Sequence, residues 1–188
     1  MISFRSARNA MIALATFAGT AQAQAGLLSN IAVVTINATK PTSLTVLVNS
    51  GGTQTMANLT DNIANNFSTP VNITTAWDIN PSAASVSLLG YFSTPAQALA
   101  NGTDYITSSL VKGKMSTGTP VAFTAFTQNA VGGAGQAGGS LLLFTTAITG
   151  VNKKSSRTDN LDLQIDLTGQ TATAGLYTGT LNLRAVTQ

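Results

Sequence analysis

The sequence predicts an all-β protein: a single antiparallel β-sandwich of about 8–10 strands with immunoglobulin-like or pilin-like topology, after a cleaved signal peptide. Short stretches in which apolar and polar residues alternate recur along the chain, and turn-forming residues separate them about every 8–15 residues. The 17 Gly and 5 Pro residues lie mostly between these stretches. No stretch has the apolar spacing of a long helix.

The clearest alternation lies near the C-terminal end. Within residues 160–167 every second residue is Leu or Ile and the others are Asn, Asp or Gln, so a strand carries all the apolar side chains on one face. Residues 175–186 follow a Gly/Thr/Ala turn and predict a second strand. We expect the two to pair as an antiparallel hairpin whose apolar face a second sheet covers.

Seven further strands are predicted from the same alternation. They are residues 31–39, 43–48, 71–79, 85–92, 105–111, 121–127 and 140–148. Residues 96–100 predict one helical turn, and residues 53–69 a loop with at most one short strand. The Gly-rich residues 132–139 predict a mobile hairpin tip, because neither a Lys-Ser/Thr pair nor a helix follows as a phosphate-binding loop requires.

Residues 1–25 have the pattern of a secretory signal peptide. Arg5 and Arg8 precede a short apolar core at residues 10–18, and residues 21–25 offer small-x-small cleavage sites. The alternative, a membrane anchor, needs about 20 apolar residues, roughly twice the length of this run. We therefore expect one domain over residues 26–188, no membrane-spanning segment in the mature chain, and a location in the periplasm, at the cell surface or outside the cell.

The composition narrows the function classes. Charged residues make up only 8% of the chain, against about 25% in ordinary globular proteins. Without residues 1–25, seven basic residues face six Asp, and the resulting net charge of +1 is too small to hold a nucleic acid through its phosphates. We therefore expect no nucleic-acid partner.

The chain has no His, Cys or Glu, so the usual general bases, thiol nucleophiles and zinc ligands are missing. Asp162 and Asp166 share a strand face but lie about 13 Å apart at the usual rise per residue. That exceeds the carboxylate separations of glycoside hydrolases, which are about 5 Å and about 6.5–9.5 Å. We expect no enzyme, no catalytic residues, no cofactor and no metal.

A Ca²⁺ site at residues 159–162 is the alternative for the acidic residues. It lacks the loop glycine and the bidentate Glu of known loop sites. The interpretation we favour is a solvated strand start that balances Lys153, Lys154 and Arg157.

The aromatic residues raise the question of a sugar-stacking platform. Trp77 shares its face with Ile73 and Ile79, which predicts core packing instead. Tyr91 lies on the face opposite its apolar neighbours and is the better candidate for an exposed contact. Tyr177 begins the last predicted strand, where its hydroxyl would bond back to a turn and pin the sheet corner.

Three segments carry a resemblance to a known group of proteins. They are Val-Val-Thr-Ile-Asn-Ala-Thr at residues 33–39, Leu-Thr-Val at residues 44–46 and Gly-x-Tyr-x-Gly-Thr-Leu-x-Leu at residues 175–183. With the signal peptide, they resemble secreted bacterial fimbrial-subunit and spore-coat-U-type proteins. Many of those carry a disulfide after the first strand, whereas this chain has no Cys.

The resemblance implies an exported structural or surface protein, a pilus-like or coat subunit that acts through protein–protein contacts. The alternative is an extracellular adhesin or carbohydrate-binding module. In fimbrial systems an extended segment of one subunit completes the sheet of the next. We hypothesise that residues 27–38 form such a donor or edge strand, since they are apolar and uncharged. The alternative is that they form the first strand of their own sandwich.

Overall fold

The structure is a computed structural model that describes residues 30–80 and 82–188. The chain divides into two units between Thr39 and Lys40. In the first unit, residues 30–39 belong to no strand, and Val34 and Ile36 are 81% and 86% exposed. The strand predicted at residues 31–39 is therefore wrong for the single chain, because alternation marks a strand-forming segment without supplying its partner. Residues 1–29, including the expected signal peptide, lie outside the described residues.

The second unit, Lys40–Gln188, is built of short strands. They are β1 Ser43–Ser50, β2 Ala64–Asn66, β3 Val71–Asp78, β4 Ser85–Tyr91, β5 Leu99–Asn101, β6 Asp104–Ile106, β7 Val111–Met115, β8 Thr124–Ala125, β9 Ser140–Ala147, β10 Lys154–Asp166 and β11 Asn182–Thr187. The predicted helical turn is a 3₁₀ turn at Pro95–Gln97. The described residues contain no α-helix, so the all-β prediction is confirmed.

All strand pairs are antiparallel. The first sheet has the order β1-β3-β10-β7-β8, with β2 also on β10, and the second has the order β11-β4-β9. The small hairpin β5-β6 stands apart. The long strand β10 organises the first sheet, because its first half pairs with β3 and its second half with β7 and β2.

The two larger sheets share one apolar core, which gives the unit a β-sandwich-like architecture. Alternate residues of β3, β10, β4 and β9 meet there. Trp77 is buried as predicted, and its indole Nε1 donates a hydrogen bond to the Asn152 carbonyl at 2.8 Å. The rings of Phe92 and Phe126 pack edge to face, with centroids 5.3 Å apart.

The predicted C-terminal hairpin does not form. β10 lies in the first sheet and β11 in the second, and residues 167–181 carry the chain across. Both strands present an apolar face to the same core, so the alternation is equally compatible with neighbours in one sheet and with strands that face each other across the sandwich. The strand β10 also begins earlier than predicted, at Lys154.

Two other predicted strands are much shorter in the structure. The chain turns at residues 107–110 between β6 and β7, and only Thr124–Ala125 of residues 121–127 is a strand. The Gly-rich residues 132–139 do not form a free tip either. They fold over the outer face of the second sheet, where Ala134 is 1% exposed and a Cβ at Gly135 would lie 3.3 Å from Leu89 Cδ2.

Candidate functional site: an open groove between the sheets

Among the strands that the structure describes, two sheet edges have no partner, and both lie on the same side of the unit. β1 ends the first sheet and β11 ends the second, and the two strands come close to each other. The backbone N–H of Ile79 donates to the Lys153 carbonyl, on the side of β3 away from β1. The backbone groups of alternate β3 residues, beginning at Asp78, therefore point toward β1. The backbone groups of Leu44, Val46 and Val48 therefore point away from β3, on the side where no described strand pairs with β1.

The same alternation applies to β11. Gln188 and Ser85 exchange both backbone hydrogen bonds, at 3.0 and 3.1 Å. Counting back along the pair, Leu183, Ala185 and Thr187 direct their N–H and C=O groups away from β4. Each edge thus offers a row of backbone donors and acceptors that an added strand would satisfy.

An apolar groove with a volume of about 760 Å³ opens beside these edges. Its floor consists of core side chains of the first sheet and of two loops, namely Phe67, Val71, Phe92, Val111, Leu163 and Ile165. Residues 51–59, which follow β1, form one wall, and Gly175–Leu181, which we term the strap, form the other. Within residues 30–80 and 82–188, no charged residue lines the groove.

Two glycines hold the strap in place. A Cβ at Gly179 would lie 2.0 Å from the Ala98 carbonyl oxygen, so only glycine allows this approach. Gly175 packs directly on the Asn101 side chain. Between them, Thr178 exchanges backbone hydrogen bonds with Ala100 at 2.8 and 3.0 Å. The Gly-x-Tyr-x-Gly motif, which the sequence predicted to begin a strand, therefore packs mostly against the β5-β6 hairpin.

Tyr177 lies in the strap and lines the groove with a half-buried ring. Its hydroxyl makes no hydrogen bond to any residue within the described ranges, so the predicted sheet-corner bond is not formed. Tyr91 is half-buried rather than fully exposed, because the outer face of the second sheet is itself partly covered. The aromatic side chains singled out from the sequence are thus not gathered on one exposed face.

The opposite side of the sandwich is closed by an ion pair. Arg157 Nε and Nη2 each lie 2.6 Å from an oxygen of Asp159, whose side chain is 2% exposed. The guanidinium stacks over the Phe144 ring at 4.2 Å, and the Thr117 hydroxyl donates to the same carboxylate. The interpretation of Asp159 and Arg157 as a solvated strand start is therefore wrong, because both side chains point between the sheets.

Neighbouring residues protect the free edge of β9 on that closed side. Gln128 Oε1 accepts a hydrogen bond from Leu142 N at 2.7 Å. A Cβ at Gly118 would lie 3.0 Å from the Leu143 carbonyl oxygen, so the chain runs directly against the strand there. Covering an edge strand with a neighbouring loop is a common way to prevent strand addition.

The outer face of the first sheet is polar and internally paired. Asp162 lies 3.2 Å from Lys114 Nζ, and Asp166 lies 2.5 Å from Lys112 Nζ. The hydrogen bonds from Lys112 and Thr168 hold the pKa of Asp166 well below its usual range. Each carboxylate is thus engaged by its own lysine, and the two do not act on a common point. Within residues 30–80 and 82–188, no group of three or more acidic side chains is placed to hold a metal ion.

No protein-family model matches the chain, and neither a curated protein nor a solved structure has significant similarity to it. Among the described residues, no helix has both the length and the apolar character required to cross a bilayer.

Proposed function

We propose that this chain is an exported structural protein of the cell surface, a fimbria-like or coat subunit with immunoglobulin-like topology that assembles with copies of itself by strand addition. The donor is the apolar segment at residues 31–38, and the acceptor is the groove of a second copy. One observation carries the proposal: a strand-forming segment that is unpaired and exposed occurs in the same chain as a groove flanked by two unpaired edges.

The chemistry of the donor matches that of the acceptor. In an extended conformation, Ala32, Val34, Ile36 and Ala38 fall on one face, and residues 31–39 contain no charge. Among the described residues, the groove is lined mostly by apolar side chains, with a few Thr and Gln side chains and no charged one. The other face of the segment carries Ile31 and Val33 followed by Thr35 and Asn37, so its C-terminal half suits the solvent side of an added strand.

The energetic gain from such an addition is substantial. Val34 and Ile36 are more than four-fifths exposed, and burying a Val or Ile side chain fully is worth about 1.5–3 kcal/mol. The backbone of the segment would also pair with an edge that now faces solvent, and each hydrogen bond contributes about 0.5–1.5 kcal/mol. Together these terms offset part of the cost of ordering the segment and of bringing two copies together.

The donor and the acceptor are different surfaces, so each copy offers one of each. A contact of this kind is heterologous and adds copies head to tail, whereas a two-fold dimer uses the same surface twice. Because the β9 side is closed by Arg157 and its neighbours, growth through the open side alone gives a linear assembly. That property suits a surface filament or coat.

The test compares two substitutions of equal polarity on opposite faces of the donor. In the exported full chain, Val34→Asp places a charge on the face that enters the groove, while Val33→Asp places it on the solvent face. We expect V34D to raise the protein concentration at which polymers form by at least tenfold, because burying an unpaired charge costs several kcal/mol. V33D retains most of the assembly.

Size-exclusion chromatography and electron microscopy follow the polymers, and circular dichroism checks that both variants keep the same fold. Deletion of residues 26–38 removes the whole donor segment and serves as the control for complete loss of assembly. Equal behaviour of V33D and V34D would refute strand addition, as would unchanged polymers after the deletion. Saturable binding to a glycan array by a chain that stays monomeric would instead support the adhesin alternative.

A further inference from the structure

Asn101 is the only Asn in the sequence that Gly follows. It ends β5, and Gly102 opens the tight turn to β6, where Asn101 pairs with Asp104. Gly102 has φ +60°, and nothing lies within 4 Å of the position that a Cβ would occupy. The backbone nitrogen of Gly102 is therefore approached from an open side without hindrance from a side chain.

Hydrogen bonds restrain neither of the two reacting groups strongly. Within the described residues, the Gly102 N–H donates no backbone hydrogen bond outside the strand ladders, so it stays available. Among the described residues, the Asn101 side-chain amide makes one hydrogen bond, from Nδ2 to the Ala174 carbonyl oxygen, and its length of 3.4 Å marks it as weak. The side-chain carbonyl carbon thus lies next in sequence to a free backbone nitrogen.

We propose that Asn101 is a site of spontaneous deamidation in the folded protein. The Gly102 nitrogen attacks Cγ of Asn101 and forms the new N–Cγ bond, its proton passes to the side-chain amide nitrogen, and that nitrogen leaves as ammonia. Water then opens the resulting succinimide at either carbonyl. Opening at the side-chain carbonyl gives Asp, and opening at the backbone carbonyl gives isoaspartate, whose chain continues through the side-chain carboxyl.

The modification acts on the strap. Gly175 packs on the Asn101 side chain, and the amide donates to Ala174 just before it. A carboxylate has no donor at neutral pH, so the bond is replaced by repulsion between two oxygens. Isoaspartate additionally lengthens the backbone beside the Ala100–Thr178 bridge. Both products loosen the strap where it docks on β5, and this effect is measurable on a single chain whether or not the chain assembles.

The first test incubates the folded full chain at mildly alkaline pH and maps its peptides by mass spectrometry over time. We expect conversion at Asn101 to run at least several-fold faster than at Asn49, which Ser follows and whose amide is held by Asn72 and Thr74. Asn101→Gln removes the reaction and provides the blank. If Asn101 converts no faster than Asn49 in the folded chain, the proposal is wrong, even if the urea-unfolded chain converts rapidly.

The second test measures the consequence. Hydrogen exchange at the Thr178 amide, which donates to Ala100, is compared between Asn101→Asp and the matched control Asp104→Asn on the facing strand. We expect Asn101→Asp to accelerate exchange at Thr178 several-fold and Asp104→Asn to leave it unchanged. Equal exchange in both variants would contradict the proposed loosening of the strap.

Discussion

Removing the charge of Asp159 is the sharpest test of how the sandwich is closed. Asp159→Asn keeps the size of the side chain but leaves the Arg157 guanidinium without its counter-ion. Breaking a buried pair in this way costs about 3–5 kcal/mol. Because the Arg157 side chain is 26% exposed, solvent offsets part of that cost, and we expect the free energy of unfolding to fall by about 2–3 kcal/mol.

Urea unfolding followed through Trp77, the only tryptophan, measures this loss. With a denaturant slope of about 1–3 kcal/mol per molar, the midpoint shifts downward by about 0.7–3 M. The matched control is Asp162→Asn, which breaks the exposed pair with Lys114, where both side chains are 36% exposed. That change is worth about 0–1 kcal/mol.

A double replacement separates the cost of an unpaired charge from the cost of lost side-chain packing. In Arg157→Met with Asp159→Leu, both charges leave together, and we expect stability to recover most of the loss because no unpaired charge remains. If Asp159→Asn and Asp162→Asn destabilise the protein equally, the burial of the Arg157–Asp159 pair does not have the energetic role assigned to it.

Three further changes test other parts of the structure. Thr75→Val removes the buried hydroxyl that has no partner among the described residues and should raise the free energy of unfolding by about 1 kcal/mol in the same urea assay. Gly179→Ala forces a Cβ against the Ala98 carbonyl and should cost about 1–3 kcal/mol, with faster hydrogen exchange confined to the strap as the local signature. The pKa of Asp166 is lowered by Lys112, so its contribution to stability is complete above the unfolded pKa of about 4 and is lost as the pH falls through the folded value. Lys112→Met should therefore flatten the decline of stability in acid, and an unchanged pH profile would contradict the role of that pair.

The assembly proposal depends on a difference between the two sides of the sandwich. Sandwiches expose two edges per sheet, and an unprotected edge invites association. Here the β9 edge is covered by Gly118 and Gln128 and lies beside a buried charge pair, while β1 and β11 keep their outward backbone groups free. In the proposed assembly, this difference between the two sides would direct association to the side of β1 and β11.

Local pattern explains which predictions from the sequence were correct. Period-two alternation places Trp77, Ile73 and Leu161 on a common buried face, and that pattern needs no knowledge of the partner strand. The same locality explains the errors. Residues 160–167 and 175–186 have the pattern of a hairpin, yet they lie in opposite sheets, because alternation does not specify which strand is adjacent.

The groove was not predictable from the sequence. Its floor unites residues as distant in the chain as Phe67 and Leu163, and one wall is a segment predicted as a strand. The sequence marks Gly175 and Gly179 as parts of a motif. Their contacts with Asn101 and Ala98 were not predictable, because those partners lie more than 70 residues earlier in the chain. The hydrogen-bonded residues Asn101 and Ala174 are likewise 73 residues apart.

The amino-acid sequence by itself determined the class of structure and the buried face of most strands, since the alternation of side chains and the turn residues act over a few neighbours. Only the tertiary structure decided which strands are adjacent, which edges stay open, and that Asp159 is buried against Arg157 while residues 30–39 stay outside every sheet. These outcomes depend on contacts between distant parts of the chain, where the burial of each group is set by what the rest of the fold brings against it.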